Sequence, residues 1–307
     1  MDRILLIDAM NAIWRATTSF GPPCQHKICD LLDDACPHKA LLPHCLCGAK
    51  WHEEKQKCYG ELYGFIFNFF RNLRPQIQDG LPHKVFVALE GHPQFRYDLF
   101  PAYKAHRRII KQGSKREAQD KFEFARDEII RLLQYLPITI ARAVDYEADD
   151  LIATLVENMK DEDLTVISND SDYIQLLQKG YKRLTIYNPI KKAQMEAPDY
   201  PYVAGKALLG DKSDGIPGIL KPKKAMQTIH NPKLFQEFLS SQENQANFNC
   251  NLQLIEFRQV PAEEIILQEG SRNFPVLKQE FERMDFQSII NDASWEKYVK
   301  TFDCITY

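Results

Sequence analysis

Short apolar segments alternate with segments of helical periodicity along this chain, and this alternation constrains its fold more than any other feature. The short segments are rich in Val, Ile, Leu or Phe, as buried parallel strands are. They are Arg3–Ile7, Lys84–Leu89, Ile138–Ala141 and Leu164–Ser168. Because helical patterns follow most of them, the sequence predicts an α/β fold with a mostly parallel central sheet flanked by helices.

Two further regions are predicted to be helical. The first, residues 59–73, places Phe65, Phe69 and Phe70 at helical intervals, so these aromatic side chains are expected in the core rather than on a base-stacking surface. The second begins at residue 202 and continues through a Gly/Pro-containing stretch. We therefore expect an α/β domain over residues 1–200 and a smaller helical subdomain over residues 201–307.

The composition is that of an ordinary globular protein. Of the 307 residues, 44% are hydrophobic and 26% are charged, and the formal net charge is -3. Bulk charge therefore does not indicate a polyanionic partner. The N-terminal apolar run, residues 4–7, is too short for a signal sequence or a membrane span. We expect a cytoplasmic protein without membrane contact.

Acidic side chains follow three of the predicted strands. Asp8 and Glu90 come directly after the first two strands, and Asp170 and Asp172 follow the segment that ends at Ser168. In an open parallel sheet, ligands bind in the crevice at the carboxyl ends of the strands. Three strands are thus expected to bring acids to one edge of the sheet.

Three more acids, Glu147, Asp149 and Asp150, begin a predicted helix. One alternative is capping, because acids favour helix N-termini. Three acids in four positions exceed what capping requires, so we expect them to join the strand-end acids. A last pair, Asp211 and Asp214, lies in a glycine-flanked stretch that alone predicts a plain turn.

Many carboxylates in one crevice repel one another unless cations neutralise them. Mg²⁺ and Mn²⁺ are the natural counter-ions, since they are hard and prefer oxygen ligands. Two such ions about 4 Å apart can activate a water and stabilise a leaving oxygen on phosphorus. The acids therefore predict phosphodiester hydrolysis.

A basic segment lies between the second predicted strand and the acidic helix. Residues 99–116 contain no acid and six fixed positive charges. A solvated helix face is the simpler interpretation of such a run. Lys104, Arg107, Arg108 and Lys111 nevertheless have helical spacing, which predicts one cationic stripe suited to phosphates, with Tyr103 beside it.

Several motifs occur together in one order along the chain. They are Leu6-Ile7-Asp8, Phe95-Arg96-Tyr97, Tyr103-Lys104-Ala105-His106-Arg107, Glu147-Ala148-Asp149-Asp150, Ser168-Asn169-Asp170-Ser171-Asp172 and Leu209-Gly210-Asp211-Lys212-Ser213-Asp214-Gly215-Ile216-Pro217-Gly218. In these motifs the chain resembles the 5′-nuclease family, which comprises the 5′-to-3′ exonucleases and flap endonucleases of bacteriophages and the 5′-nuclease domain of bacterial DNA polymerase I. The resemblance covers nearly the whole length.

The resemblance implies a PIN-like 5′-nuclease fold with a helical arch and roles for the acids. Asp8, Glu90, Glu147 and Asp149 would surround a first metal ion. Asp170, Asp172, Asp211 and Asp214 would surround a second. Asp150 would either be shared by the two ions or hold the ligands in place without binding an ion.

The basic residues also have counterparts in the family. Lys104 and Arg107 match the arch pair that contacts the scissile phosphate, and Arg96 matches the arginine just before the arch; all three are expected to be catalytic. Residues 201–307 would form a helix-hairpin-helix-like subdomain that grips duplex DNA. We expect a free-standing nuclease, as phages often encode, acting on DNA with a 5′ flap, nick or 5′ end, and on RNA–DNA hybrids in primer removal. It would act as a monomer, with replication proteins as candidate partners.

Two departures from the family concern its motifs. Glu90 stands where an Asp is usual, so its assignment is the weakest of the acids. The glycine-rich hairpin is replaced by a shorter loop with Lys221, Lys223 and Lys224, which predicts a more electrostatic grip on DNA and puts a potassium site in doubt.

A third departure is a Cys/His-rich insertion at residues 20–58. Six of the eight cysteines lie in it, a number suited to a structural zinc site in a reducing compartment. The candidate ligands are Cys24, Cys29, Cys36, Cys45, Cys47 and Cys58. The alternative is unligated thiols in a tolerated loop.

Two other functions remain open from the sequence. One is a ribonuclease of the related PIN-like architecture, against which the arch residues and the C-terminal helices argue. The other is a non-catalytic module that only recognises branched DNA. A binder has no need of so many anions facing a polyanion, so an active nuclease is the leading hypothesis.

Overall fold

The computed structural model describes residues 1–18, 51–52, 57–105 and 114–306 of the chain. Of residues 51–52, 57–62 and 114–121 only the backbone is described. Several predicted site residues therefore lie outside the description. They are Arg107, Arg108, Lys111, Cys24, Cys29, Cys36, Cys45 and Cys47.

The described strands form one large sheet and one hairpin. They are β1 (Arg3–Asp8), β2 (Trp51–His52), β3 (Lys57–Cys58), β4 (Lys84–Leu89), β5 (Thr139–Arg142), β6 (Asp163–Ile167), β7 (Leu184–Asn188), β8 (Ala193–Gln194) and β9 (Ile266–Glu269). The large sheet has seven strands in the order β8-β7-β6-β1-β4-β5-β9, and β2 pairs with β3 apart from it. The pairs β1–β6 and β6–β7 are parallel, whereas β7–β8 is antiparallel.

The predicted fold class is confirmed, and the four predicted strands are β1, β4, β5 and β6. Their register explains how acids meet. Ile7 of β1 lies beside Ile167 of β6, so the residues that follow the two strands leave the sheet side by side. The sequence analysis missed β7, β8 and β9.

Helices fill the connections between the strands. The longer helices are Ala9–Thr18, Tyr59–Gly80, Gln94–Leu99, Ser114–Leu133, Ala148–Asn158, Tyr202–Leu209, Pro222–Ile229, Pro232–Leu239, Gln242–Ile255, Phe274–Arg283 and Asp292–Lys300. Short ones are Ile174–Leu177 and Gln287–Ile290, and the 3₁₀ turns are Ser171–Tyr173 and Ala262–Glu264. The Tyr59–Gly80 helix runs past Pro75, well beyond its predicted end. None of the helices in the described part of the chain combines the length and apolarity needed to cross a membrane.

The chain divides into two compact units. The first comprises Met1–Ala9, Phe86–Arg116 and Ala141–Leu267. Its core joins apolar residues of β1 and β6, such as Leu6 and Val166, to the inner face of the Ala148–Asn158 helix. All the described acids of the candidate site belong to this unit.

The second unit comprises Met10–Val85, Glu117–Ile140 and Gln268–Tyr307. Its core is aromatic: the rings of Phe70 and Phe281 lie 5.1 Å apart, and Phe281 also packs against Phe286 and Tyr298. Phe69 and Phe70 are buried, which confirms that these aromatics serve packing.

Candidate metal centre

Asp8 and Asp149 converge on one tyrosine hydroxyl. Asp8 is the last residue of β1 and is only 6% exposed. The hydroxyl of Tyr173 donates to Oδ1 of Asp149 at 2.6 Å and lies 3.4 Å from Oδ2 of Asp8. Burial, and then the charges of Asp8, Asp170 and Glu90, raise the pKa of Asp149 well above its usual range. Four of the predicted acids therefore share one anionic environment.

A second group consists of Asp172, Asp211 and Asp214. Oxygen atoms of these three carboxylates lie within 4.8 Å of one another. Asp170 adjoins the group, since its Oδ1 accepts a hydrogen bond from the backbone N–H of Asp172 at 2.9 Å. The structure thus brings the four acids expected around one ion close together.

The stretch that carries Asp211 and Asp214 forms a turn and also contributes two carboxylates to the group. Reciprocal backbone hydrogen bonds of 2.9 and 2.8 Å join Asp211 and Ile216. Gly210 has a φ of 73°, and a Cβ there would lie 2.4 Å from the backbone nitrogen of Gly218, so only glycine fits. The turn and the acid site, weighed as alternatives from the sequence, are both present.

Lys206 lies between two of these acids and was not predicted as a site residue. Its ammonium contacts Oδ1 of Asp172 and lies 2.6 Å from Oδ2 of Asp211. Burial acts to raise the pKa of Asp211, but the hydrogen bond from Lys206 holds it below its ordinary value. Lys206 is the basic residue in the last turn of the Tyr202–Leu209 helix, only five residues before Asp211. This proximity in the sequence could have marked it as a site residue.

Glu147 is engaged by protein donors on both oxygens. Oε1 pairs with the ammonium of Lys104. Oε2 accepts from the hydroxyl of Tyr103 at 2.9 Å and lies 3.0 Å from Nη1 of Arg96. These donors hold the pKa of Glu147 below its usual value against the effect of burial.

Two predictions in this region need correction. Tyr103 was expected to contact DNA, but it is 2% exposed and belongs to the core. Its hydroxyl points inward to the acids Glu147 and Asp214. Lys104 was expected on a helical stripe with Arg107, but its backbone φ is 50° and it lies in a turn. The turn directs the Lys104 ammonium to Glu147, and 3.9 Å separates it from Asp214.

Arg96 was expected to be catalytic, yet it is 2% exposed and its donors face protein acceptors. Nη1 and Nη2 bind the two oxygens of Asp150 at 2.6 and 2.8 Å, and Nε donates to the carbonyl of Leu254 at 3.0 Å. Asp150 also accepts from the backbone N–H groups of Glu147 and Arg258. Because four donors surround this fully buried carboxylate, Asp150 has the contacts expected of the supporting role that the sequence analysis left open, and Arg96 is its buried partner.

Glu90 reaches the start of the acidic helix. Its Oε2 accepts a hydrogen bond from the backbone N–H of Ala148 at 3.1 Å. Capping by the helix's own acids, the alternative weighed from the sequence, is present at Asp150, which accepts from the backbone N–H of Glu147. Withdrawal of the carboxylate from water and repulsion from Glu147 raise the pKa of Glu90 to about 7, although the side chain as a whole is exposed. The longer side chain of Glu permits this reach from the end of β4.

The donor set fits a hard divalent cation. Within the described residues, the clustered ligand atoms are carboxylate oxygens, the donors that Mg²⁺ and Mn²⁺ prefer. Asp172, Asp211 and Asp214 form this cluster. Asp170 is hydrogen-bonded to the backbone of Asp172, and Asp8 and Asp149 meet at the hydroxyl of Tyr173.

The predicted DNA-contact lysines lie on an exposed helix start. Lys221, Lys223 and Lys224 are exposed at the start of the Pro222–Ile229 helix, where Lys221 is the N-cap. Asn251, which the sequence analysis did not single out, is buried and donates to the carbonyls of Ala207 and Pro217 at 2.9 Å each. It ties the acid-bearing turn to the helices around it.

The fold is thus of the α/β class, with a seven-stranded sheet whose strands lead into a group of carboxylates. The chain belongs to the 5′-3′ exonuclease family: residues 3–200 match the family model described as "5'-3' exonuclease, N-terminal resolvase-like domain".

Curated relatives match about half of the chain or somewhat more. A 5′-3′ exonuclease of Mycobacterium tuberculosis is 30% identical over 177 residues, which is 50% of this chain and 56% of the relative. DNA polymerase I of Bacillus subtilis is 26% identical over 209 residues, 63% of this chain but only 23% of the polymerase. The matched region therefore spans little more than half of the first relative and a smaller part of the second.

Solved structures share the fold over the whole chain. The flap endonuclease of bacteriophage T5, solved with DNA and metal ions, superposes with a TM-score of 0.55 at 15% identity and covers 97% of both chains. Human GEN1, solved with Holliday junction DNA, gives a TM-score of 0.51 at 16% identity and covers 97% of this chain and 71% of its own.

Proposed function

We propose that this protein is a structure-selective 5′-nuclease, a flap endonuclease or 5′-3′ exonuclease, that hydrolyses DNA phosphodiesters with two divalent metal ions. The convergence of Asp172, Asp211 and Asp214 beside the Asp8–Asp149 pair carries the proposal. Membership of the 5′-3′ exonuclease family supports the substrate class. The expected substrates are DNA with a 5′ flap, a nick or a 5′ end, and RNA–DNA hybrids, in replication, repair or primer removal.

Two groups of acids would hold the ions. Asp8, Asp149 and Glu90 would hold the first, and Asp172, Asp211 and Asp214 the second, with Asp170 between them. Bound Mg²⁺ or Mn²⁺ would lower the pKa of a bound water molecule and neutralise negative charge on the phosphate oxygens. The protein itself fixes the carboxylates through Tyr173, through the Asp211–Ile216 bridge and through the Arg96–Asp150 pair.

Lys104 would meet the scissile phosphate. Its ammonium lies at the border of the two acid groups, paired with Glu147 and 3.9 Å from Asp214. A cation at this position can stabilise negative charge that develops on phosphate oxygens. Arg107, three residues further along, is proposed as its partner from the family motif.

Duplex DNA would contact the helical part of the chain, residues 201–307, while residues 1–200 would form the catalytic α/β domain. Asp211 and Asp214 would complete its acid site from the C-terminal part. Lys221, Lys223 and Lys224 are exposed beside the N-terminus of the Pro222–Ile229 helix. Both the lysines and the unpaired amides of a helix N-terminus favour phosphate oxygens. Contacts of this kind read the DNA backbone rather than its sequence.

The direct test is cleavage of a 5′-flapped duplex with Mg²⁺ or Mn²⁺, compared with single-stranded RNA of the same sequence. The wild type should cut the flapped DNA. Asp172→Asn should abolish cleavage and largely spare DNA binding, whereas Asp199→Asn, a matched change of an exposed acid outside the cluster, should behave as wild type. Preferential cleavage of the RNA would favour the ribonuclease alternative. Binding of the flapped DNA without cleavage would favour the non-catalytic module.

We also propose a structural Zn²⁺ in the insertion that contains Cys24–Cys58. The support is the number and spacing of cysteines in the sequence. Elemental analysis of purified protein should find zinc that is lost in a Cys45→Ser, Cys47→Ser double variant and retained in a Cys250→Ser, Cys304→Ser double variant. Zinc-free native protein would exclude this site.

The remaining proposals concern the cellular setting. The protein is proposed to act as a cytoplasmic monomer, with replication proteins as partners. Sedimentation of the purified chain with and without flapped DNA tests the monomer directly. A dimer at micromolar concentration would contradict it.

A further inference from the structure

Tyr173 is a buried tyrosine whose hydroxyl lies among the acids. It directly follows Asp172 at the end of a single 3₁₀ turn and is fully buried. Its ring packs against Phe257, with centroids 5.7 Å apart. The hydroxyl lies 2.6 Å from Oδ1 of Asp149 and 3.4 Å from Oδ2 of Asp8.

Packing of the ring does not explain the hydroxyl. Tyr298 in the second unit is also buried, and its hydroxyl has no hydrogen-bond partner among the described residues. A buried tyrosine oxygen in this chain therefore does not need a hydrogen bond to a described residue. At Tyr173 the oxygen instead meets two carboxylates that come from β1 and from the acidic helix.

The hydroxyl has one proton and two carboxylates within reach. At 2.6 Å, Oδ1 of Asp149 accepts the hydrogen bond from the hydroxyl, while the contact to Oδ2 of Asp8 is longer. One oxygen of the Asp149 carboxylate is thereby fixed to the core. The rotation of this carboxylate is restricted, and its second oxygen has a defined direction relative to Asp8.

We infer that Tyr173 is a positioning residue that orients Asp149, relative to Asp8, for a divalent cation. This inference rests on the proposed function, because it assigns a support to the acids proposed as ligands of the first ion. Hydrogen-bond partners behind metal ligands are worth about 10- to 100-fold in metal affinity or activity. Tyr173 acts through Asp149 and does not itself contact the ion or the DNA.

The test uses Mn²⁺ alone as the probe, with no DNA. Binding of Mn²⁺ to the full chain is measured by electron paramagnetic resonance and calorimetry in the wild type, in Tyr173→Phe and in the matched control Tyr298→Phe. We expect Tyr173→Phe to bind one of its Mn²⁺ ions about 10- to 100-fold more weakly than the wild type, and Tyr298→Phe to match the wild type. Thermal unfolding of the metal-free proteins checks the fold of each variant.

The outcomes separate this inference from the proposed function. Wild-type Mn²⁺ affinity in Tyr173→Phe overturns the inference, even if the wild type cuts flapped DNA. A Tyr173→Phe protein that fails to fold also overturns it, since the hydroxyl would then support the core rather than the ion site. If Mn²⁺ binding weakens as expected but the wild type cuts no nucleic acid, the positioning role stands and the nuclease proposal fails.

Activity gives a second readout for an active enzyme. The Mg²⁺ concentration for half-maximal flap cleavage should rise in Tyr173→Phe, and the rate at saturating Mg²⁺ should recover most of the wild-type value. A rate that stays low at saturating Mg²⁺, with an unchanged half-maximal concentration, contradicts a role in ion positioning.

Discussion

Arg96 and Asp150 face each other edge to edge in the interior, with Nη1–Oδ2 and Nη2–Oδ1 distances of 2.6 and 2.8 Å. Both side chains are almost completely buried. A buried charge without its partner is unfavourable, because it loses water and gains nothing in return. The pair therefore joins the Gln94–Leu99 helix to the Ala148–Asn158 helix, which carries Asp149.

Removal of Arg96 is expected to destabilise the protein strongly. Arg96→Ala should lower the free energy of unfolding by about 3–5 kcal/mol, since it leaves Asp150 charged and buried. Urea denaturation monitored by circular dichroism measures the change. Arg126→Ala, which breaks an exposed pair with Asp127, should cost less than about 1 kcal/mol. Equal losses in the two variants would contradict a structural role for the buried pair.

Lys206 is expected to stabilise the metal-free protein as an internal counter-ion. Lys206→Met should lower the unfolding free energy by roughly 2 kcal/mol, because hydrogen bonds to two carboxylates are lost. Saturating Mg²⁺ should then raise the melting temperature more in this variant than in the wild type, since Asp172 and Asp211 have lost their cation. Lys160→Met, at an exposed pair with Glu157, is the control. An Mg²⁺ effect that is no larger in Lys206→Met would refute this role.

Lys104 is expected to act on the chemical step. Lys104→Ala should slow single-turnover flap cleavage more than it weakens DNA binding, because its ammonium borders the acids rather than an outer surface. Quenched-flow cleavage and fluorescence anisotropy, measured on the same DNA, separate the two effects. Equal losses in rate and affinity would make Lys104 only a phosphate anchor.

Glu90 is expected to make metal binding pH-dependent. Its pKa of about 7 leaves it largely protonated at pH 6, whereas a cation binds the ionised form. Mn²⁺ affinity should therefore rise between pH 6 and pH 8, with proton release detectable by calorimetry in two buffers. Glu90→Gln should reduce this dependence. The expectation fails if the wild type and Glu90→Gln show the same pH profile.

In the metal-free protein, the raised pKa of Glu90 makes its contribution to stability fall with rising pH, whereas metal affinity is expected to rise. Between the ordinary value of 4.5 and about 7, the folded state binds more protons at Glu90 than the unfolded state does. The contribution of Glu90 to stability therefore falls as the pH rises through this window. The exposure of the side chain limits the size of this effect.

Local pattern was sufficient to predict the main strands and the acids at their ends. Each of the four strands is a short apolar run, and the geometry of parallel sheets dictates that their carboxyl ends meet. The strand β7 was missed because only alternate positions, Ile186 and Asn188, are buried. β9 was missed because all four of its residues are exposed, so it has no apolar pattern to detect.

The partners of the acids could not be read from the sequence. Tyr173 and Asp8 are separated by 165 residues, and Arg96 and Asp150 by 54. Their contacts depend on the packing of segments that no local pattern relates. From their motifs, Arg96 was therefore expected to be catalytic and Tyr103 to contact DNA, although both are buried.

The contacts around Arg96 and Asp150 also determine when this part of the protein can fold during its synthesis. The carbonyl of Leu254 and the backbone amide of Arg258 complete the hydrogen bonds of the pair. A growing chain cannot close this arrangement until Arg258 has left the ribosome, although most of the acids emerge far earlier. Truncated translation products that lack this segment would therefore carry the acids without their final support.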